Sequence, residues 1–314
     1  MISVYFTDNP TIAVQHIKAD TEYLSSDLLK GRGKGTPEIR LAAQYIADRF
    51  EESGLKPAVE GTYFQSFPIE DQREEERNVV GVIPAKTETN QSIVFMAHYD
   101  GLGTISNPGV EDSIYNAALD NAVGVAAMIE IARQFSSSEE RFDHNVVFIA
   151  TAAEEFGIYG SKYYVNNPIY PVDQISLCLN IDGFNVSGPR KDYFIMPRQG
   201  IDFVSSINSV ANQLGWIYHP PPWVDQMNTL FDTAPFLSNG IPAITVWTGN
   251  ITKDGKEAPP PKFGAIHSPE DEINEHWNWE GIYDHLNLYI ALAKFAMNEE
   301  VVLKVNDRNY FING

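Results

Sequence analysis

The chain has 314 residues, of which 43% are hydrophobic and 12% aromatic, a composition that supports a large buried core and excludes a disordered chain. Its 22 basic and 42 acidic residues give a net charge of −20. Because nucleic acids and anionic membrane surfaces bind to basic protein surfaces, we expect neither of them to be a partner.

The predicted elements alternate between helices and strongly apolar strands. The first helix covers residues 37–53, where a proline suits the first turn and a glycine follows the end. In chain order, the later elements are strands at 78–83 and 92–97, a helix at 121–135, strands at 145–152 and 176–181, a helix at 202–215, a strand at 241–247 and a helix at 279–297. This alternation predicts an α/β fold, a three-layer α/β/α sandwich around a mainly parallel mixed sheet.

The organisation of the chain is simple. It shows no repeat and no linker, so we expect residues 1–314 to form a single domain. No apolar stretch approaches the roughly 18 residues that a membrane span needs. The N-terminal sequence MISVYFTDNP lacks the basic start and apolar core of a signal peptide. We therefore expect a periplasmic or secreted protein if such a peptide was removed, and a cytoplasmic one otherwise. The single cysteine, Cys178, is interpreted as a small buried hydrophobe.

Three of the predicted strands end in side chains that bind metals or transfer protons. His98 and Asp100 follow the second strand, Glu154 and Glu155 follow the third, and Asp182 follows the fourth. Ligands of open α/β sheets bind at the carboxyl ends of the strands. We therefore expect these side chains to lie close together at one edge of the sheet.

Two further residues extend this group. Asp120 stands at the start of the predicted helix 121–135, where it is either a helix cap or a ligand, and His267 lies in the acidic segment AIHSPEDE. The candidate metal ligands are then His98, Asp120, Glu155, Asp182 and His267. Nitrogen and oxygen ligands without thiolate suit zinc, and cobalt or manganese less specifically. Five such ligands are enough for two Zn²⁺ ions if one carboxylate bridges them.

The adjacent glutamates 154 and 155 repel each other, and a nearby cation would relieve this repulsion. Neighbouring residues on a turn point in different directions, so that one glutamate can bind metal while the other faces a substrate. Along a strand, residues i and i+2 point the same way. Asp100 is therefore predicted to accept a hydrogen bond from the imidazole of His98 and to fix its tautomer.

The ordered motifs HYD, DNAVG, AEEFGIYGSKYY, NID, GIPA and IHSPEDE closely resemble those of the zinc-dependent exopeptidases of the bacterial leucyl aminopeptidase and glutamate carboxypeptidase II type. The resemblance runs from LLKGRGKGT at residues 28–36 to the last predicted helix. It implies an α/β/α fold, a co-catalytic pair of zinc ions and a peptide substrate with a free N-terminus.

The same resemblance implies a role for each site residue. It divides the metal ligands into two pairs and one bridge: His98 with Asp182, Glu155 with His267, and Asp120 between the ions. Glu154 is the implied general base, which takes a proton from water and delivers it to the leaving amine. Asp100 completes the catalytic set as the partner of a metal-binding histidine.

The sequence departs from this family in the loop before GIPA. Many relatives carry Ser-Asp-His there, whereas this chain has Phe231, Asp232 and Thr233. The missing histidine concerns substrate contacts rather than metal ligands, and Asp232, Phe231 and Met227 are the candidate substrate-binding residues. Val123 also replaces the serine of the usual DNASG motif. The segment between the first two strands is too short for the protease-associated domain of larger relatives, which we expect to be absent.

Two other functions are compatible with much of this motif set. Glutaminyl-peptide cyclotransferases share the fold but use a single zinc ion, and transferrin-receptor-like binding domains are inactive relatives that have lost ligands. The glycine-rich GRGKG at 31–35 lacks the G-x-x-x-x-G-K-[ST] pattern and the preceding strand of a phosphate loop. We interpret it as a structural turn.

Overall fold

The computed structural model describes residues 10–69, 74–105, 112–140, 142–227, 229–259 and 264–312. The first nine residues, to which the signal-peptide expectation applies, lie outside these ranges. None of the helices within the ranges is long and apolar enough to cross a membrane.

The strands of the described residues form one large sheet and one small one. They are β1 (Lys56–Pro57), β2 (Phe64–Ile69), β3 (Glu74–Ile83), β4 (Ser92–His98), β5 (Gly103–Thr104), β6 (Ile114–Tyr115), β7 (Asn145–Thr151), β8 (Ile175–Asn180), β9 (Asp192–Met196), β10 (Ile217–Tyr218) and β11 (Ala243–Thr248). The large sheet has the order β1-β3-β7-β4-β8-β11-β9-β10, and β2 also pairs with β3. The short strands β5 and β6 pair with each other.

The centre of the large sheet is parallel and its flanks are antiparallel. Strands β7, β4, β8 and β11 run in one direction, whereas β3 and β9 pair antiparallel with the outer members of this group. Every residue of β4 and β7 is buried, which explains their continuous apolar sequences. The predicted mixed sheet is confirmed. Strands β3 and β4 follow each other in the sequence but do not pair, because β7 lies between them.

Helices cover both faces of this sheet. They are α1 (Pro10–Leu24), α2 (Pro37–Glu52), α3 (Val123–Ser137), α4 (Tyr159–Asn166), α5 (Val204–Gln213), α6 (Thr233–Ser238), α7 (Ile282–Ala296) and α8 (Arg308–Ile312). Helices α1, α2, α3, α5 and α7 pack together on one face, and α4, α6 and α8 pack on the other. The resulting three layers match the predicted sandwich.

Several elements were not predicted from the sequence, and α1 shows why. Its buried face includes Asp20 and Thr21 as well as apolar residues, so its apolar pattern is interrupted. The Asp20 carboxylate accepts hydrogen bonds from Tyr45 Oη at 2.6 Å and lies 2.9 Å from Arg49 Nε. Partners on the neighbouring helix α2 thus compensate the buried charge of Asp20, whereas an aspartate within a helical pattern is ordinarily predicted to be exposed.

Candidate metal centre

The five predicted metal ligands come together at the carboxyl edge of the parallel strands. His98 is the last residue of β4, and Asp182 follows the end of β8. Glu155 lies on the turn after β7, Asp120 lies in an irregular turn before α3, and His267 lies in the loop that leads to α7. Parallel strands present these ends at one edge, which explains how distant segments meet.

The ligands form two groups that share one carboxylate. One group consists of His98, Asp120 and Asp182, the other of Asp120, Glu155 and His267, and in each group the ligand atoms lie within 4.8 Å of one another. Asp120 Oδ1 is 3.0 Å from His98 Nε2, while Asp120 Oδ2 is 3.2 Å from His267 Nε2. The two carboxylate oxygens of Asp120 therefore face different groups, as a bridging ligand requires.

The electrostatics of the cluster fit bound cations. Burial, followed by the charge of Asp120, raises the pKa of Glu155 to about 7, and burial also raises the pKa of Asp182. Burial opposes ionisation of Asp120 as well, but hydrogen bonds from His267 and His98 outweigh it and lower the Asp120 pKa. Two imidazoles and three carboxylates at these separations are a donor set that suits zinc. The residues present thus fit two zinc ions that share Asp120.

Glu154 lies beside the two groups but belongs to neither. It lines the same cavity as Asp120, Glu155 and Asp182. Burial raises the pKa of its carboxyl to about 10, and the charges of Asp182, Asp232 and Asp100 contribute. The position and the basicity of Glu154 suit a group that holds a proton next to the metal ligands.

Asp100 does not make the hydrogen bond that the strand geometry predicted. Its Oδ1 atom is 3.8 Å from His98 Nδ1, which is too long. The carboxylate instead accepts the backbone N–H groups of Glu154 at 3.0 Å and Glu155 at 3.2 Å. Both oxygens are used in this way, and the role of Asp100 as a partner of His98 stays a prediction. Asp100 thus fixes the turn that carries the glutamate pair.

Two residues that sequence reasoning assigned no role in the site hold the bridging segment in place. Asn121 donates to the carbonyl of Ile181 at 2.8 Å and accepts the N–H of Gly183 at 2.9 Å. Asp271 accepts the N–H groups of Leu119 at 2.8 Å and Asp120 at 3.1 Å. The acidic character of the segment after His267 was the available signal for Asp271, but its partner could not be inferred from the sequence.

A cavity of about 720 Å³ opens beside the ligands. Its wall is mostly apolar and is formed by Ile158, Phe184, Met227, Leu230, Phe231, Trp247 and Ile266. The candidate substrate residues Met227 and Phe231 line this cavity. Asp232 lies behind it, buried, where its two oxygens accept hydrogen bonds from Thr151 and Ser161, both at 2.5 Å.

His285 is a buried histidine at the edge of this cavity. Its Nε2 atom lies 3.1 Å from the Val246 carbonyl and therefore donates to it, and its ring stacks on Phe184 with centroids 4.2 Å apart. Burial lowers the pKa of His285 to about 3, although the bond to the carbonyl acts in the opposite direction. The native imidazole is therefore neutral at moderately acidic pH.

This burial makes the stability of the protein depend on pH. Below about pH 6.5 the unfolded chain binds a proton that the native His285 rejects. The free energy of unfolding should therefore fall as the pH drops, by at most about 1.4 kcal/mol per pH unit. Denaturant unfolding in chelator, between about pH 7 and pH 5, should show a weaker pH dependence for His285→Gln, which retains a donor for the carbonyl. Equal slopes in the two proteins would contradict this account.

The comparisons with known proteins agree with this geometry. The model of peptidase family M28 matches residues 78–293. The alkaline phosphatase isozyme conversion protein of Escherichia coli is 30% identical over 142 residues, which are 42% of this chain and 40% of that protein. Leupeptin-inactivating enzyme 1 of Streptomyces exfoliatus is 25% identical over 254 residues, which are 79% of this chain and 52% of that protein. The chain thus spans about half or less of the length of these curated relatives.

Solved structures show the same fold at low sequence identity. The structure of BSAP, a zinc aminopeptidase from Bacillus subtilis, superposes with a TM-score of 0.65 and 17% identity. The match covers 90% of this chain and 94% of that one. The three-layer architecture is therefore shared along nearly the whole length of both chains.

Proposed function

Because the chain belongs to peptidase family M28, we propose that it is a metallo-aminopeptidase that hydrolyses N-terminal residues from peptides. The observation that carries this proposal is the pair of ligand groups that share Asp120, with Glu154 beside them in one cavity. The aminopeptidase named among the solved structures supports the same activity. The substrate is a peptide with a free N-terminus.

The residues of the site divide the reaction between them. Bound zinc ions supply Lewis-acid activation of water and of the peptide carbonyl. His98, Asp182, Glu155 and His267 would hold these ions, together with Asp120, which is shared by the two ligand groups. Glu154, which lines the cavity beside the ligand groups, would accept a proton from the attacking water and return it to the leaving amine. Carboxylates at the cavity attract the cationic N-terminus of the substrate.

The complete set of five metal ligands and Glu154 supports an active hydrolase over an inactive binding domain. The presence of two ligand groups rather than one also favours hydrolysis over the single-zinc cyclisation of N-terminal glutamine. A matched panel of free aminoacyl and N-blocked fluorogenic substrates, assayed with chelator and after zinc is restored, tests the proposal. Cleavage restricted to the free substrates and abolished by chelator is expected. Cleavage of the blocked substrates alone, or pyroglutamate formation from a glutaminyl peptide, would refute it.

The apolar wall of the cavity predicts the preferred N-terminal residue. Met227, Phe231 and Trp247 offer apolar surface to a substrate side chain. Each buried methylene contributes about 0.8 kcal/mol, so kcat/KM for leucyl substrates should exceed that for alanyl substrates by about tenfold or more.

Leu230 provides a test of this wall, because it lines the cavity and is 57% exposed, so that its replacement has little effect on the core. Leu230→Asp should lower kcat/KM for leucyl substrates by about tenfold. Leu41→Asp is the matched control, since Leu41 is 55% exposed on α2 and does not line the cavity. Equal kinetics in the two variants would show that this wall does not select the substrate.

A further inference from the structure

Arg32, in the GRGKG segment, is a completely buried arginine. It lies outside the residues matched by the family model. Its guanidinium donates from Nε to the carbonyl of Tyr99 at 2.7 Å, from Nη1 to those of Leu24 and Asn116, the latter at 2.9 Å, and from Nη2 to that of Ala117 at 2.9 Å. All of these acceptors are backbone carbonyls, so one side chain ties three chain segments together.

The backbone around Arg32 fits closely against the same segments. The carbonyl of Arg32 accepts the N–H of Gly101 at 3.3 Å. A Cβ atom added to Gly31 would lie 2.3 Å from the carbonyl oxygen of Tyr115, and one added to Gly33 would lie 2.9 Å from the Cα of Gly103. These glycines therefore allow a backbone-to-backbone contact that other residues would hold apart.

Two of the three segments that Arg32 joins carry site residues. Tyr99 stands between His98, a predicted metal ligand, and Asp100, which fixes the glutamate turn. Ala117 precedes the bridging Asp120 by three residues. The 3.0 Å approach of His98 Nε2 to Asp120 Oδ1 depends on how these two segments are placed relative to each other. Arg32 bonds to both segments.

The charge of Arg32 also suits this place. Burial lowers the pKa of its guanidinium to about 10, while Asp100, Asp271, Asp120 and Glu155 act in the opposite direction. The group therefore stays protonated at neutral pH. A cation near several carboxylates reduces their mutual repulsion. The five N–H donors of the planar guanidinium can also bond to several carbonyls in different directions.

We propose that Arg32 is a positioning residue of the metal centre, which sets the relative placement of the segment that carries His98 and Asp100 and the segment that carries Asp120. Its influence on turnover rests on the proposed function, whereas its influence on zinc binding does not. Displacement of catalytic groups by about 1 Å costs on the order of 100-fold in rate. Loss of the planar fork should therefore reduce kcat much more than it changes KM.

The test compares Arg32→Lys with Arg49→Lys. Lysine keeps the charge of Arg32 but not the fork of donors. Arg49 is the matched control, because it joins α1 to α2 through Asp20 and bonds to neither metal-site segment. The readouts are kcat and KM on a leucyl substrate, and the rise in melting temperature that zinc produces over chelator in each protein. If Arg32 had only a structural role, its replacement would lower the melting temperature in zinc and the melting temperature in chelator equally, and the zinc-induced rise would not change.

We expect Arg32→Lys to lower kcat about 100-fold and to change KM by less than about threefold. It should also reduce the rise in melting temperature that zinc produces. Arg49→Lys should keep the wild-type kcat and the wild-type rise. Identical behaviour of the two variants would overturn the proposal. If the wild type binds zinc but cleaves no peptide, the proposed function fails, and the zinc-induced rise still decides the role of Arg32.

A milder variant keeps the test decisive if Arg32→Lys does not fold. Gly33 has φ −63°, which alanine adopts readily, and a Cβ there would press on Gly103 Cα at 2.9 Å. Gly33→Ala should move the segment around Arg32 away from Gly103 by a few tenths of an ångström. It should lower kcat by about tenfold and reduce the zinc-induced rise in melting temperature. Wild-type values for both readouts in this variant would refute the positioning role.

Discussion

Replacement of Glu154 by glutamine is expected to lower kcat by about 10³-fold or more while both zinc ions remain bound. Glu154 lines the cavity beside the ligands but is a member of neither ligand group. Glutamine has nearly the same shape and cannot accept and return a proton. The loss should therefore appear in kcat, with zinc content unchanged by metal analysis.

Two other glutamates serve as controls for this prediction. Glu155→Gln should lower zinc content, because the Glu155 carboxylate is 3.0 Å from His267 Nε2 within a ligand group. Glu130→Gln, which alters a carboxylate that is buried next to Arg133 and belongs to neither ligand group, should preserve kcat. Unchanged turnover in Glu154→Gln would refute its role as the base.

The second large effect is expected for Asp120→Asn, which should lose at least one zinc ion and most of the activity. The two oxygens of Asp120 face different ligand groups, at 3.0 Å from His98 Nε2 and 3.2 Å from His267 Nε2. Asparagine offers one oxygen and one donating nitrogen, so it cannot serve two cations. Zinc titration of metal-depleted protein should therefore show reduced stoichiometry or affinity.

Asp192→Asn provides the comparison for this substitution. Asp192 is a buried aspartate that accepts the N–H of Ile251 at 2.7 Å and lies on β9, in neither ligand group. The Asp192→Asn variant should bind two zinc ions, like the wild type. Full two-ion occupancy in Asp120→Asn would show that Asp120 is not a bridge.

The ligand set illustrates how far the sequence reaches. His98, Glu155 and Asp182 each follow an apolar run, and the carboxyl ends of parallel strands necessarily share an edge. Their meeting was therefore predictable from strand patterns, and the structure brings them together with Asp120 and His267. Asp120 was open to interpretation as a helix cap, but α3 begins at Val123 and Asp120 has φ −122°, outside the helical region.

Asp100 and Asp232 show where such reading stops. Strand alternation placed Asp100 on the side of His98, yet its carboxylate bonds to the backbone of the glutamate turn. Asp232 was a candidate for substrate binding, yet it lies buried behind the cavity, bonded to two hydroxyl groups. In both cases the hydrogen-bond partners lie in segments that are distant in the chain.

The sequence by itself determined the alternation of helices and strands, the types of metal ligand and their order along the chain. These properties follow from local periodicity and from the chemistry of single side chains. Only the tertiary structure decided that Asp120 faces both ligand groups, that Asp271 and Arg32 hold the bridging segment, and that an apolar cavity adjoins the ligands. Hydrogen bonds form over a range of a few tenths of an ångström, and no local pattern fixes the distance between remote segments to that accuracy.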